Sequence, residues 1–125
     1  MRVVRIFTGP DGRAKIERRA VPLDAGERPT SPKFPAASVF FRETPAGHVF
    51  GTHNAPQRQF IFVVSGTGEV ELSDGTRWRF GPGDVSFVED IEGEGHVTRT
   101  LTGPRGFAYV PMPTEFDITK WPLAE

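Results

Sequence analysis

The stretch Gly47-His48-Val49-Phe50-Gly51-Thr52-His53-Asn54-Ala55-Pro56-Gln57-Arg58-Gln59-Phe60-Ile61-Phe62-Val63-Val64-Ser65-Gly66 carries the pattern that decides the fold. It opens behind the turn Thr44-Pro45-Ala46-Gly47 and closes on Ser65-Gly66-Thr67-Gly68, with Asn54-Ala55-Pro56 breaking it in the middle. Such breaks leave two runs of strand length, 48–53 and 59–64. The second run is almost wholly apolar, which in an antiparallel sheet requires cover on both faces. Alternation puts Gln59, Ile61 and Val63 on an inner face and Phe60, Phe62 and Val64 on an outer one. Phenylalanines facing outward make a poor monomer surface, so the pattern predicts a homodimer.

Working outward, the same punctuation recurs. Gly9-Pro10-Asp11-Gly12, Ser73-Asp74-Gly75, Gly81-Pro82-Gly83-Asp84, Gly93-Glu94-Gly95 and Gly103-Pro104-Arg105-Gly106 are turn signals. They leave further strands at 3–7, 14–19, 37–42, 69–72, 77–80, 85–88, 96–101 and 107–111, and no run has a sustained helical period. The composition agrees: 14 Gly, 12 Pro and 11 Phe against 2 Met describe many turns between short aromatic-rich segments. At 125 residues one all-β domain is expected. Residues 21–35 hold four prolines and should form an extended surface connection. The end of the chain, with Phe116, Ile118 and Trp121, should make a short helical turn folding back on the body.

Charge and composition exclude several function classes. Lys plus Arg number 15 and Asp plus Glu 16, so no overall field draws the chain to nucleic acid or to an anionic membrane. The absence of Cys removes disulfides, thiolate metal sites and cysteine nucleophiles. The first residues lack a signal-peptide core, and no run approaches the ~18 apolar residues of a membrane span. A cytoplasmic protein with a small-molecule partner is the expectation. The basic runs 13–19 and 77–79 alternate like solvated strand faces and leave no room for a helix-turn-helix.

Residues 47–66 resemble the first motif of the cupin family, Gly-x5-His-x-His-x3,4-Glu-x6-Gly. Downstream, Phe80-Gly81-Pro82-Gly83-Asp84-Val85 resembles the Pro-Gly-Asp turn before the second motif, and Gly93-Glu94-Gly95-His96 resembles that motif's Gly-x-x-His. The resemblance covers residues 36–111 and implies a double-stranded β-helix, or jelly-roll barrel. Residues 1–35 then form an N-terminal hairpin and the Pro-rich connection, and 112–125 a tail.

In metal-binding cupins the motif histidines and glutamate hold the ion. Carried over residue by residue, His53 keeps the first ligand, Ala55 loses the second, Gln59 stands where Glu is expected, and His96 keeps the last. The resemblance therefore implies a variant site in which His53, Gln59 and His96 hold a divalent transition metal such as Zn, Fe, Mn or Ni, with no nucleotide or flavin. Some metal-dependent members, hydroxynitrile lyases among them, are similar in using Gln there. Two imidazoles and an amide form a neutral set with open positions, which weakens affinity but suits a Lewis acid. Glu89 and Asp90 follow the strand 85–88, and either could supply a general base. Alternation puts Glu89 on the face of Val85 and Phe87 and Asp90 on the other, but a bulge would exchange them. His48 is expected at the surface or an interface. Three functions stay open: a metal-dependent lyase, isomerase or dioxygenase; a metal-free isomerase or epimerase using a histidine–carboxylate pair; and a small-molecule sensor.

Overall fold

A computed structural model describes residues 1–124. Its strands are β1 (Arg2–Thr8), β2 (Ala14–Ala20), β3 (Phe40–Thr44), β4 (Val49–His53), β5 (Gln59–Leu72), β6 (Arg77–Phe80), β7 (Val85–Val88), β8 (His96–Pro111) and β9 (Leu123–Ala124). One 3-10 turn, Ile118–Lys120, precedes β9. The chain is all-β, as its turn-rich composition predicts. No helix among the described residues is long and apolar enough to cross a membrane. The strands join in the order β3-β8-β5-β7-β1-β2-β9, with β4 on β8 and β6 on β5. All pairings are antiparallel except β1 with β7.

The principal difference from the sequence reading lies in β5 and β8. Each was expected as two strands divided by a glycine turn, yet each runs through as one bent strand of 14 and 16 residues. The dividing glycines act as bulges: the β5–β8 register shifts repeatedly between Val63 and Gly68. Gly66 has a positive φ of 76°, and a Cβ there would lie 2.6 Å from the Arg105 Cα. Only glycine lets β5 cross β8 this closely, so what looks like a turn is a site of backbone approach.

Register determines which side chains share a face. Val4, Ser86, Ile61, Tyr109 and Phe40 form one row across β1, β7, β5, β8 and β3. Ile6, Val88 and Gln59 form the next. These rows face inward with Val63, Val70, Leu72, Phe80 and Phe107. The opposite face carries a second core of Val3, Phe60, Phe87, Met112, Phe116, Ile118 and Trp121. Strand β1 buries both of its faces, one in each core.

The second core corrects the expectation for Phe60. It does face away from the interior, but its own chain covers it: the rings of Phe116 and Trp121 lie 5.3 and 5.9 Å from the Phe60 ring. The tail turns as expected, with the Asp117 side chain accepting from the Thr119 N–H. Residues 21–35 form no strand, and Phe34 packs on Trp121 at 5.3 Å. Burying Phe116 and Trp121 contributes roughly 1.5–3 kcal/mol each, which secures a tail with few backbone ladder bonds.

Candidate functional site

A cavity of about 500 Å³ opens inside the sheet, a size suited to a small molecule. Its walls are mostly apolar, with Ile61, Val63, Trp78, Phe80, Val88 and Phe107 among them. His53, Gln59 and His96 all line it, so the structure brings together the three residues that the sequence placed in one site.

The two histidines meet because β4 pairs with β8 in the register His53 to His96. Their ring centroids lie 4.5 Å apart. Gly95 makes this possible: its φ is 74°, and a Cβ would fall 2.2 Å from the His53 carbonyl oxygen. Any side chain there would push β4 off β8 and separate the rings.

Hydrogen bonds define the tautomer of each ring. His53 Nδ1 lies 2.8 Å from the Gly51 carbonyl oxygen, which can only accept. Nδ1 therefore carries the proton, and Nε2 is left with its lone pair. Burial lowers the His53 pKa, and the nearby His96 and Arg105 act in the same direction against the Gly51 bond and Asp90. His96 Nδ1 lies 2.5 Å from Asp90 Oδ2. His96 is buried and the Asp90 side chain has no exposure at all, so this is a water-excluded dyad with the geometry of a charge-assisted hydrogen bond.

Asp90 and Glu89 part company here. Ser86 and Val88 face the cavity, and continuing their alternation turns Asp90 inward. Asn54 Nδ2 and the Ala55 N–H both donate to the Asp90 carbonyl oxygen, fixing the loop. Glu89 turns to the face of Phe87, where it accepts from Arg5 Nε at 2.5 Å and Arg58 Nε at 3.0 Å. Glu89 does not line the cavity and is held as an ion-pair partner. Gln59 is buried, and its Oε1 accepts from Gln57 Nε2 at 3.3 Å, with no hydrogen bond to either histidine. His48 is exposed at the cavity mouth.

Residues 40–100 match the model of the cupin domain. These residues form a cupin domain. No curated protein matches it. Among solved structures, this cupin is similar to a conserved protein of unknown function from Streptococcus pyogenes, at 16% identity and a TM-score of 0.45, covering 61% of this chain and 75% of that one. It is also similar to a protein from Ralstonia eutropha JMP134 described as a "putative mannose-6-phosphate isomerase", at 14% identity and a TM-score of 0.36, covering 90% and 86% of the two chains. Likeness at these scores carries nothing about substrate.

Cupin domains often hold metals, and the donor chemistry here can be tested against that. Among the described residues, no group of three His, Cys, Asp or Glu side chains converges on one point. What the site offers is neutral: two imidazole rings 4.5 Å apart, with the Gln59 amide on the lining of the same cavity. Both imidazoles carry the outer hydrogen bonds that metal-bound histidines show, Nδ1–H to a carboxylate or a carbonyl. The set fits a weakly held, open-sided ion and lacks the anionic ligand of a tight site.

Sequence reasoning missed the cationic side of this cupin's cavity. Arg105 lines it with only 6% of its surface exposed, and Arg42 and Tyr109 stand beside it. Arg42 lies over the Tyr109 ring at 5.2 Å. Burial raises the Tyr109 phenol above its ordinary value, against the pull of both arginines, so the hydroxyl keeps its proton. The signal was present: Arg105, Phe107 and Tyr109 alternate on one strand, but the apparent turn 103–106 hid the first of them.

Proposed function

We propose that this cupin is a small-molecule enzyme that moves a proton on a substrate held in the cavity, with His96 as the acid–base group and Asp90 as its positioning carboxylate. The observation that carries this reading is the buried 2.5 Å contact between Asp90 and His96. It commits Nδ1–H to the carboxylate and presents Nε2 to the cavity, as the carboxylate–histidine pair of hydrolytic triads does. Nε2 takes a proton from a substrate carbon next to a carbonyl or carboxyl group, and the imidazolium is stabilised by Asp90. The electron pair left on carbon moves onto the carbonyl oxygen, and Tyr109 is the neutral donor the cavity offers to that oxygen. Return of the proton to the other face or to a neighbouring carbon gives epimerisation or isomerisation; loss of a leaving group gives a lyase.

The test is proton exchange in D₂O. Pools of small oxo and hydroxy acids incubated with the protein should lose a C–H resonance by ¹H NMR. His96→Ala and Asp90→Asn should abolish the loss, and exchange that persists in both variants overturns the proposal.

A second reading is favoured by one observation, the engagement of both Nδ1 atoms beside Gln59. His53, Gln59 and His96 would hold a divalent transition ion, which when bound would polarise a substrate carbonyl or hydroxyl. Elemental analysis of untagged protein, wild type beside His96→Ala, tests it. Near-stoichiometric metal lost in the variant supports it, and no metal in either counts against it.

We also infer that two copies pair through the outer face of β3, β8 and β5. Phe41 is 75% exposed and Val64 62%, and Phe41, Ala108 and Phe62 stand in register across the three strands. β3 ends the strand order, so among the described residues no strand pairs with its outer edge, which can extend a sheet. Light scattering should report a dimer that Phe41→Glu converts to monomer; a monomeric wild type refutes the pairing.

A further inference from the structure

We propose that the cavity takes an apolar carboxylic acid and that Arg105 receives its carboxylate. The inference rests on the cavity being a small-molecule site, and it specifies which class of molecule enters.

Arg105 is an anomaly in a chain whose other buried charges are paired. Glu69 has Arg79 at 3.0 Å and Asp90 has His96, and even the half-buried Glu89 has Arg5 and Arg58. Among the described residues, no carboxylate lies within ion-pair distance of Arg105, and its buried Nε has no hydrogen-bond partner. Its neighbours make the position worse. Arg42 is a second cation lining the same cavity, and the guanidinium carbon of Arg105 lies over the Phe107 ring, 4.7 Å from its centroid. A guanidinium taken out of water without a counter-charge is unfavourable, and a fold does not hold one without compensation.

The fold nevertheless goes out of its way to hold it. Gly66 clears space for the Arg105 backbone, and β3 to β8 pairing sets Thr44 opposite Arg105 and Arg42 opposite Phe107. The missing partner is therefore supplied from the cavity. The rest of the wall states its chemistry: Ile61, Val63, Trp78, Phe80 and Phe107 contact an apolar body, while the planar fork of Arg105 matches a carboxylate bidentately. A single buried guanidinium balances a single negative charge, which favours a carboxylate over a doubly charged phosphate ester.

Isothermal titration with matched probes tests this. 3-Phenylpropionate, its neutral amide and 2-phenylethylphosphonate share a body and differ in the head; octanoate and octanamide repeat the comparison on an aliphatic body. Wild type should bind the acids about 10- to 100-fold more tightly than the amides. Arg105→Met should erase that preference, and Arg105→Lys should keep part of it. Ligand-free Arg105→Met should also melt about 3 °C or more above wild type, because an unpaired buried charge has been removed. Equal binding of acid and amide, a preference surviving in Arg105→Met, tighter binding of the phosphonate, or no acid binding up to about 20 mM each overturns the proposal. So does a lower melting temperature in Arg105→Met with wild-type behaviour in Arg105→Lys. Acid preference without any D₂O exchange would leave this inference standing and refute the proton-transfer reading alone.

Discussion

Removing either member of the Asp90–His96 dyad should destabilise the protein, and unequally. Asp90→Ala takes the acceptor from a buried imidazole N–H, a loss of about 1.5–3 kcal/mol for a charge-assisted bond. It also removes a carboxylate whose Oδ1 is buried without a partner, which offsets part of that loss. The net cost should be about 2 kcal/mol, or roughly 6–12 °C in melting temperature for a chain of this length. His96→Ala is worse, because it leaves a carboxylate with no exposed surface and no side-chain partner, at about 3–5 kcal/mol. The double variant should resemble His96→Ala or be milder, since it removes the stranded charge. Asp90→Asn keeps an acceptor and should stay within about 1 kcal/mol of wild type while losing about 10²–10⁴-fold in proton transfer. Chemical denaturation near neutral pH gives all four values. If Asp90→Ala proves as damaging as His96→Ala, or the double variant is the sum of the two, the dyad is not the coupled pair described here.

Three other consequences follow from the packing and charge. Trp121→Ala should cost about 3–5 kcal/mol, because the ring seals a core against Phe34, Phe60 and Phe116; a change under about 1 kcal/mol would mean that the tail is not part of the fold. Gly95→Ala should both destabilise the protein and move the His53 imidazole resonances, since the new Cβ meets the His53 carbonyl; unchanged His53 signals would contradict this account of how the rings are brought together. Burial alone would raise the Glu17 carboxyl, but hydrogen bonds and charge from Arg5 and Arg19 outweigh it and hold it below the usual range. A carboxyl held low in the folded state stabilises above about pH 4.3, its ordinary value, and that contribution fades as the pH falls through the folded value. Glu17→Gln should therefore lower stability near pH 7 and matter little near pH 3, as pH-dependent urea titrations would show.

The legible parts of this chain were those governed by local rules. Turn residues and alternation placed most strands, and motif spacing picked out His53, Gln59 and His96, which line one cavity. Alternation set Glu89 and Asp90 on opposite faces but did not say which face is the interior; the lining positions of Ser86 and Val88 and the bond to His96 show that it is the face of Asp90. The misjudged parts depended on contacts between distant segments. Gly66 and Gly103 look like turn residues, but Gly66 serves the crossing of β5 over β8 and Gly103 the close approach of β8 to Ala46 in the turn after β3. Phe60 looked like an interface residue because nothing local reveals that residues 116–121 return to cover it. Arg105 disappeared into an apparent turn, although its alternation with Phe107 and Tyr109 was in view.

The most direct test of the central claim is the protonation pattern of the imidazoles, measured by long-range ¹H–¹⁵N correlation in ligand-free protein. The account predicts a proton on Nδ1 of both His53 and His96, with the His96 Nδ1–H shifted far downfield by Asp90 and returned upfield in Asp90→Asn. A neutral His96 carrying its proton on Nε2, or a Nδ1–H signal indifferent to Asp90→Asn, would contradict it.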